Sequence, residues 1–399
     1  MENRRIASRN SALYCLRYAC YNSAMPVMWG SIAQLFLAAR GLSNTDIGYY
    51  TTLISASQMI LYVIFANLGD RSRNPLKLSI WLYLANLAVT ALYIPISLTS
   101  LDGLFLLGLM GLLTVGQTVC YCGMMSCDFN ITYMILPNDM YGKHLSYLAL
   151  TNGIVVVGFS TVYSRLIDAD AAGNPYLICM ILGCALLGVS TFLGTRMKVL
   201  YPHEPSPVRA DPIRQLRVLM KDRLFRILLV PNFLRGFAQA LIGSITVVAL
   251  SMGIGQTGAS KISIVVGLGS VGYTLLYRLL AKMLKIGAFG LVGCALMWAA
   301  VFFPREDATL FLILYLLVDV GYKMSFNAMA ITTYEMIDPA IVGSFNVWRT
   351  VIISAGATVL TPLVPILLEN VSPLWLFIPC ALAQTVSMLW YQAVQKRMG

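Results

Sequence analysis

The chain has 399 residues, of which 58% are hydrophobic and only 11% are charged. Soluble domains carry about 25% charged residues, so this composition excludes an ordinary water-soluble protein and predicts an all-α membrane protein. The formal net charge of +11 would suggest nucleic-acid binding in a soluble protein. Here the basic residues lie mostly between apolar runs, where they orient a membrane protein, and no nucleic-acid partner is expected.

The nine cysteines all lie within apolar runs, at spacings that match neither a zinc site nor a disulfide framework. We interpret them as packing residues. The two histidines, His144 and His203, fall in predicted loops. The sequence therefore predicts no metal site and no cofactor. The segment from Met1 to Asn10 is polar and contains three arginines. The apolar stretch that follows it is too long for the apolar part of a cleavable signal peptide and is interpreted as the first span.

Along the chain, twelve apolar runs are long enough to cross a bilayer, which takes about 20 residues. They predict twelve transmembrane helices in two pseudo-symmetric six-helix bundles. The predicted spans lie near residues 12–39, 46–68, 77–98, 102–126, 145–167, 175–195, 227–252, 262–283, 287–304, 309–333, 341–368 and 373–394.

A long hydrophilic stretch from Arg196 to Arg226 divides the chain. It predicts a first six-helix bundle over residues 1–197, a cytoplasmic linker over 198–224 and a second bundle over 225–399. Within the linker, Asp211 followed by Pro212 is a helix-start signal. Apolar residues then recur at helical spacing among basic ones, which predicts either a short helix on the membrane surface or a solvated basic linker.

Basic residues concentrate in the segments on the same side as the N-terminus. By the positive-inside rule, both termini and the central linker are cytoplasmic. The chain is therefore predicted to be a multi-pass protein of the cell membrane, and a monomer is expected.

Weak internal similarity supports two related halves. Spans 1 and 7 begin with Leu16-Arg17 and Leu234-Arg235, and Phe129-Asn130 late in span 4 matches Phe326-Asn327 late in span 10. The shared order of such matches is what a duplicated six-helix unit predicts.

The loop after span 2 reads ANLGDRSRN from Ala66. It resembles the signature of the major facilitator superfamily, roughly Gly-x-Leu-Ala-Asp-Arg-x-Gly-Arg, in which Leu68, Asp70 and Arg71 match while Ala66 and Arg73 replace the usual glycines. This resemblance implies a secondary transporter with alternating access, in which spans 1, 4, 7 and 10 line a central cavity. It also implies a gating role for Asp70 and Arg71.

Each charge in mid-bilayer costs at least about 2.5–3.5 kcal/mol and needs a partner, a cavity or a function. Asp319 lies ten residues into span 10, about 15 Å deep at 1.5 Å per residue, and is the first candidate for proton coupling, with Asp128 as the second. The alternative is a permanent ion pair between Asp319 and Lys323, one turn further along.

Arg235 is the first candidate for substrate contact, because a guanidinium can hold a carboxylate or phosphate through two parallel hydrogen bonds. The alternative is that helix carbonyls or Asp319 satisfy it. Further substrate-binding candidates on or near the expected cavity are Lys323, Asn327, Tyr322, Gln117, Tyr121, Tyr21, Asn22, Gln239 and Arg349.

Three charged residues fall near the cytoplasmic ends of their spans. Arg17 and Asp128 are predicted to pair as a gate between spans 1 and 4, or else to reach the interface separately. Glu335 is a further gating candidate.

These features predict proton-coupled uptake, by symport, of a small polar or acidic organic solute. One alternative is efflux of drugs or lipids by proton antiport, and another is a non-transporting membrane receptor or scaffold. No Walker-type glycine loop is present, so ATP drive is not expected, and no nucleophile–base pair indicates an enzyme.

Overall fold

A computed structural model describes residues 2–65, 67–137, 140–169, 174–203, 211–280, 283–336 and 342–398. Within these ranges it describes every side chain except those of residues 129, 141–143, 146, 334, 335, 342–344 and 398.

The first half of the chain forms α1 (Glu2–Met28), α2 (Ser31–Ala39), α3 (Asn44–Phe65), α4 (Leu68–Arg71), α5 (Pro75–Ala91), α6 (Tyr93–Leu98), α7 (Gly103–Ile135), α8 (Tyr141–Asp168) and α9 (Pro175–Thr195). A short helix, α10 (Pro212–Leu219), follows. The second half forms α11 (Arg223–Gly243), α12 (Ile245–Ser251), α13 (Gly255–Ser260), α14 (Ile262–Leu280), α15 (Ile286–Met297), a 3₁₀ turn (Trp298–Phe302), α16 (Ala308–Met336), α17 (Val342–Leu360), α18 (Leu363–Asn370) and α19 (Leu374–Met398).

Ten helices of the described chain are long and apolar enough to cross a membrane. The predicted span at 12–39 corresponds to α1 and α2, and the span at 287–304 to the shorter apolar helix Ile286–Phe302. The predicted all-α membrane class is therefore confirmed, while the count of twelve stays a prediction.

Helix starts follow local sequence signals. Asn74 and Asn174 each precede a proline at the first helical position, and each side-chain oxygen accepts a backbone N–H three residues later. Proline suits this position because its missing N–H would have no partner there. The same capping chemistry recurs at Asp211 and Asp222, which accept backbone N–H groups at the starts of α10 and α11.

One end of the molecule, here called the closed end, has a single apolar core that contains both halves. Ile32 and Phe36 of α2 belong to the same cluster as Ile245 and Val248 of α12. Hydroxyl contacts add to it, since Ser31 Oγ lies 2.6 Å from Ser263 Oγ across the two halves. The halves are therefore packed together at this end.

At the opposite end, here called the split end, each half has its own core. The first half packs around Tyr14 and Ile131, and the second around Phe225 and Met324. Within the described residues these are separate clusters. The molecule is therefore asymmetric along its long axis, with one core at the closed end and two at the split end.

Close backbone approach joins the halves between these ends. A Cβ atom added to Gly153 of α8 would lie 2.7 Å from Val271 Cγ2 and 3.3 Å from the Gly267 carbonyl oxygen of α14. Glycine permits this approach because it has no side chain. The crossing of α8 and α14 thus depends on small residues.

His144 lies inside α8 and not in a loop, contrary to the prediction. Its Nδ1 is 2.9 Å from Ser11 Oγ, and its ring meets Tyr14 edge-on at 5.2 Å. Burial lowers the pKa of His144 to about 4. The neutral imidazole therefore joins α1 to α8 just before the candidate span that begins at Tyr147.

The tight crossing at Gly153 yields a stability prediction. Gly153→Leu should lower the melting temperature of the purified protein, because overpacking costs about 1–3 kcal/mol. Gly158→Leu on the same helix is the matched control, since a Cβ there meets nothing within 4 Å. Equal melting temperatures of the two variants, measured by thermal shift in detergent, would contradict the close crossing.

Candidate functional site

The first membrane helix of each half is interrupted part-way through the bundle. In the first half α1 ends at Met28 and α2 begins at Ser31. Pro26 lies just before this break, and Gly30 is needed there because an added Cβ would lie 2.8 Å from Pro26 Cα. In the second half the corresponding break, between α11 and α12, falls at Ser244.

A cavity of about 430 Å³ lies against both breaks. Trp29, Gly30 and Ser31 line it from the first half, and Gly243 and Ser244 from the second. Interrupted helices at matching places in two repeats are a general mark of a substrate site in membrane proteins. The cavity is therefore the candidate binding site.

Neutral polar groups from both halves line this cavity. Its amides are Asn22, Gln34, Gln58, Asn152 and Gln239. Its hydroxyl groups belong to Ser31, Thr51, Ser55, Ser244, Thr246, Ser263, Ser270, Tyr315 and Thr361, and apolar side chains such as Met25, Ile54, Val156 and Ile262 separate them. Among the described residues that line the cavity, none is charged. Such a wall can bind hydroxyl and amide groups of a neutral molecule.

Two of the predicted substrate-binding residues line the cavity, Asn22 and Gln239. Asn22 Nδ2 donates to Asn152 Oδ1 at 2.7 Å, which joins α1 to α8 in the cavity wall. Gln239 lies on α11, five residues before Ser244, where the helix breaks.

Several other predicted contacts lie behind the wall in the first half. Gln117 is fully buried and bonds to Tyr93 and Thr90. Tyr121 packs against Tyr21 and meets Trp29 edge-on at 5.3 Å. These residues support the cavity wall and do not line it.

In the second half, Asn327 donates to the Lys323 carbonyl oxygen at 2.8 Å, and Tyr322 packs on the Phe326 ring. Arg349 is buried on α17. None of these three is among the cavity-lining residues.

Asp319 and Lys323 form an ion pair within α16. Asp319 is buried, and Lys323 Nζ also donates to the Val266 carbonyl oxygen of α14 at 2.8 Å. Val266 lines the cavity, as does Tyr315, one helical turn before Asp319. The pair is thus one layer behind the cavity wall, between α14 and α16.

Arg235 is 1% exposed and lies one helical turn before Gln239. Its guanidinium lies 4.5 Å from the centre of the Phe326 ring, and Nη1 donates to Asn232 Oδ1 at 3.1 Å. Nε and Nη2 have no hydrogen-bond partner in the described part of the chain. A buried donor without a partner costs about 1–3 kcal/mol, so this arginine could bind an anionic group.

Arg17 and Asp128 form no ion pair among the described side chains. Arg17 Nη2 donates instead to Ser79 Oγ at 2.8 Å, and its guanidinium lies 4.0 Å from the centre of the Tyr83 ring. Arg17 is therefore held within the first half.

The loop after α3 is fixed to α7. Asn130 Nδ2 donates to Asp70 Oδ1 at 3.0 Å, and the Gly69 N–H donates to Ser126 Oγ at 2.9 Å. Arg71 is exposed beside them at the split end. The side chain of Glu335 lies outside the described ones.

Sequence reasoning missed the cavity residues of α3, α8 and α14, such as Gln58, Asn152 and Ser270. A signal was present, because Pro26 and Gly30 interrupt one apolar run and Gly243 another, at matching places in the two halves. The described residues contain no cluster of three or more His, Cys, Asp or Glu suited to a metal ion.

No family model and no curated protein matches this sequence. Solved structures do match its fold. A mutant form of the nucleoside transporter NupG gives a TM-score of 0.70 at 13% identity, over 97% of this chain and 99% of that one. A D-xylose–proton symporter gives 0.70 at 15% identity over 96% of each chain. The xylose transporter XylE from E. coli, in a partially occluded inward open conformation, gives 0.70 at 13% over 98% of each.

These likenesses cover nearly the whole chain. They show that the chain has the major facilitator fold. The predicted all-α fold of membrane-spanning helices is therefore confirmed, while the count of twelve stays a prediction. At such low identity these likenesses are evidence for the fold only.

The closed end yields a cross-linking prediction. Cysteines in place of Ser31 and Ser263, whose Oγ atoms are 2.6 Å apart, should form a disulfide under mild oxidation. With a protease site placed at 204–210, the two halves should then remain one band on a non-reducing gel after cleavage. Each single variant is the control and should give two fragments. Separate fragments from the oxidised double variant would contradict the packed closed end.

Proposed function

We propose that this protein is a secondary active transporter that moves a small, neutral, hydroxyl-bearing solute by alternating access. The observation that carries the proposal is the cavity between the halves, lined from both sides by neutral amides and hydroxyls at the helix breaks. At about 430 Å³ it has the size of a small-molecule site. The likeness to nucleoside and xylose transporters supports the same solute class.

We further propose a cell-membrane location with both termini cytoplasmic and a monomeric protein. Under the positive-inside rule the split end then faces the cytoplasm. The closed end would seal the cavity from outside, so the conformation described above would be inward-facing. The match to XylE in a partially occluded inward open conformation supports this assignment.

For coupling, we propose that Asp319 carries the proton and that the cycle is symport. Ionised Asp319 holds Lys323, whose ammonium also binds the Val266 carbonyl in the cavity wall. Protonation would release that ammonium from its carboxylate and loosen the contact between α14 and α16. The pair thus offers a physical route from a proton to the binding site, and the likeness to a proton symporter supports it.

A second candidate substrate class is acidic solutes. It is favoured by the two guanidinium nitrogens of Arg235 that have no partner among the described residues. In that case the carboxylate of the solute would bind Arg235, one helical turn before Gln239 on α11.

We also propose a gating role for Asp70 and Arg71, as the resemblance implies, and for Arg17 and Glu335. The contact of Asp70 with Asn130 of α7 supports the role of the loop after α3.

The substrate class is tested by ligand-induced thermal stabilisation with a panel of pentoses, hexoses, nucleosides and their acidic analogues, because a ligand that binds only the folded state raises its stability. We expect a neutral member to stabilise the wild type and Gln239→Ala to weaken its apparent affinity about tenfold, the effect of about 1.4 kcal/mol. Arg235→Lys should leave that affinity unchanged.

The reverse pattern, binding of an acidic member that Arg235→Lys abolishes and Gln239→Ala spares, would establish the second candidate. Unliganded melting temperatures of both variants control for misfolding.

The proposed proton route is tested with Asp319→Asn in proteoliposomes, using the solute found by that panel. We expect accumulation driven by a pH gradient to be lost, because the amide cannot exchange a proton, while exchange of labelled for unlabelled solute persists. Asp128→Asn makes the same chemical change near the split end and should keep the gradient-driven accumulation. Loss of coupling in Asp128→Asn with coupling retained in Asp319→Asn would reverse the assignment.

A further inference from the structure

The short helix between the halves, α10, presents a mixed basic and apolar surface. Arg214 and Arg217 are exposed, as is Lys221 just after the helix. On the same helix Ile213 is 60% exposed and Val218 is 54% exposed. Basic side chains interleaved with exposed apolar ones are unfavourable in water alone and suit the boundary between lipid headgroups and acyl chains.

The opposite side of α10 is fixed to the protein. Leu219 is 1% exposed and belongs to the split-end core of the second half, together with Phe225. Only Met220, Lys221 and Asp222 separate α10 from α11, a candidate membrane span. The helix therefore has a fixed orientation next to the point where the chain enters the membrane.

The basic surface continues past α10. Arg223 and Arg226, in the first turns of α11, are also exposed. The nearby acids, Asp211 and Asp222, use their side chains to cap α10 and α11. The exposed charge on this stretch is therefore strongly positive.

We propose that this surface, formed by Ile213, Arg214, Arg217, Val218 and Lys221, binds the anionic headgroups of the adjacent membrane leaflet. Charge complementarity identifies the partner, because each Lys or Arg near an anionic bilayer adds to the attraction. The exposed Ile213 and Val218 identify a lipid surface in preference to a soluble acidic partner, since they can enter the acyl boundary while the cations stay at the headgroups.

The same helix also contacts the first half. Gln215 Nε2 donates to Asn67 Oδ1 at 3.3 Å, directly before α4, which carries Asp70. Lipid bound to α10 therefore stabilises an element that touches both halves at the split end, where their cores are separate. The headgroup composition of the membrane thereby acts on the contact between the halves.

The first test is thermal stability of the purified protein in detergent with added phosphatidylglycerol or phosphatidylcholine. Phosphatidylglycerol should raise the melting temperature more than phosphatidylcholine, and added salt should remove the difference. Arg214→Gln with Arg217→Gln should weaken the apparent affinity for phosphatidylglycerol by about tenfold or more, on the order of 1 kcal/mol per basic residue.

The charge-matched control is Lys396→Gln with Arg397→Gln, which removes two exposed charges at the end of α19 and should weaken the response less than the α10 variant does. An equal response of the wild type to both lipids, or an unchanged response in the α10 variant, would overturn the proposal.

The second test places an environment-sensitive fluorophore on Val218→Cys. The native cysteines are buried or half-buried, so labelling should favour the new thiol. In vesicles with about one part phosphatidylglycerol to four parts phosphatidylcholine, its emission should shift to the blue relative to phosphatidylcholine alone, because anionic headgroups attract the basic surface. The same label on Arg305→Cys, exposed in the loop before α16, should not respond. Water-like emission from position 218 in both vesicles would identify a solvated linker and refute lipid binding.

Discussion

The shared apolar core at the closed end is the constraint on which the rest of the structure depends. It joins α2 and α12, which are the closed-end segments of the two interrupted helices, and so it fixes them against each other. Toward the split end the halves diverge into separate cores, and the cavity lies between the halves. The buried polar contacts across the closed end join neutral groups, such as Ser31 with Ser263 and Tyr176 with Gln256, while the Glu369 carboxylate accepts from Thr45 at the exposed surface. Breaking these contacts leaves no buried charge unpaired among the described residues, which keeps the cost of separating this surface low.

The buried charged residues also make their contacts within one half of the molecule. Asp319 and Lys323 pair on one helix, Arg17 bonds to Ser79 within the first half, and Arg235 bonds to Asn232 within the second. The ion pair and hydrogen bonds of these charges therefore each lie within a single half. Two bodies built this way can change their relative orientation while the environment of each charge stays constant, which is a requirement for rigid-body rocking.

The sequence predicts some levels of this structure well and others poorly. Apolar run length and charge position locate the spans, because the bilayer imposes both. Helix rotation is harder to predict, because a span that packs on all sides is apolar all round and carries no amphipathic signal. Gln117 was therefore expected in the cavity but bonds to Tyr93 behind it, while Asn152 was missed on α8. Asn22 and Gln239 were predicted because they are polar residues on spans 1 and 7, which the resemblance places at the cavity, and both line it.

The interruptions also suggest a shared structural role for Arg17 and Arg235. Arg17 lies on α1 and Arg235 on α11, the split-end segments of the two interrupted helices. Each guanidinium lies over an aromatic ring of its own half, Tyr83 for Arg17 and Phe326 for Arg235. Such a contact contributes up to about 2 kcal/mol where water is excluded. α1 and α11 are thereby held to their own halves, while α2 and α12 belong to the core shared by both halves. A movement of α2 or α12 at the closed end therefore changes the backbone at the break, beside Gly30 or Ser244, and the cavity lies at these breaks.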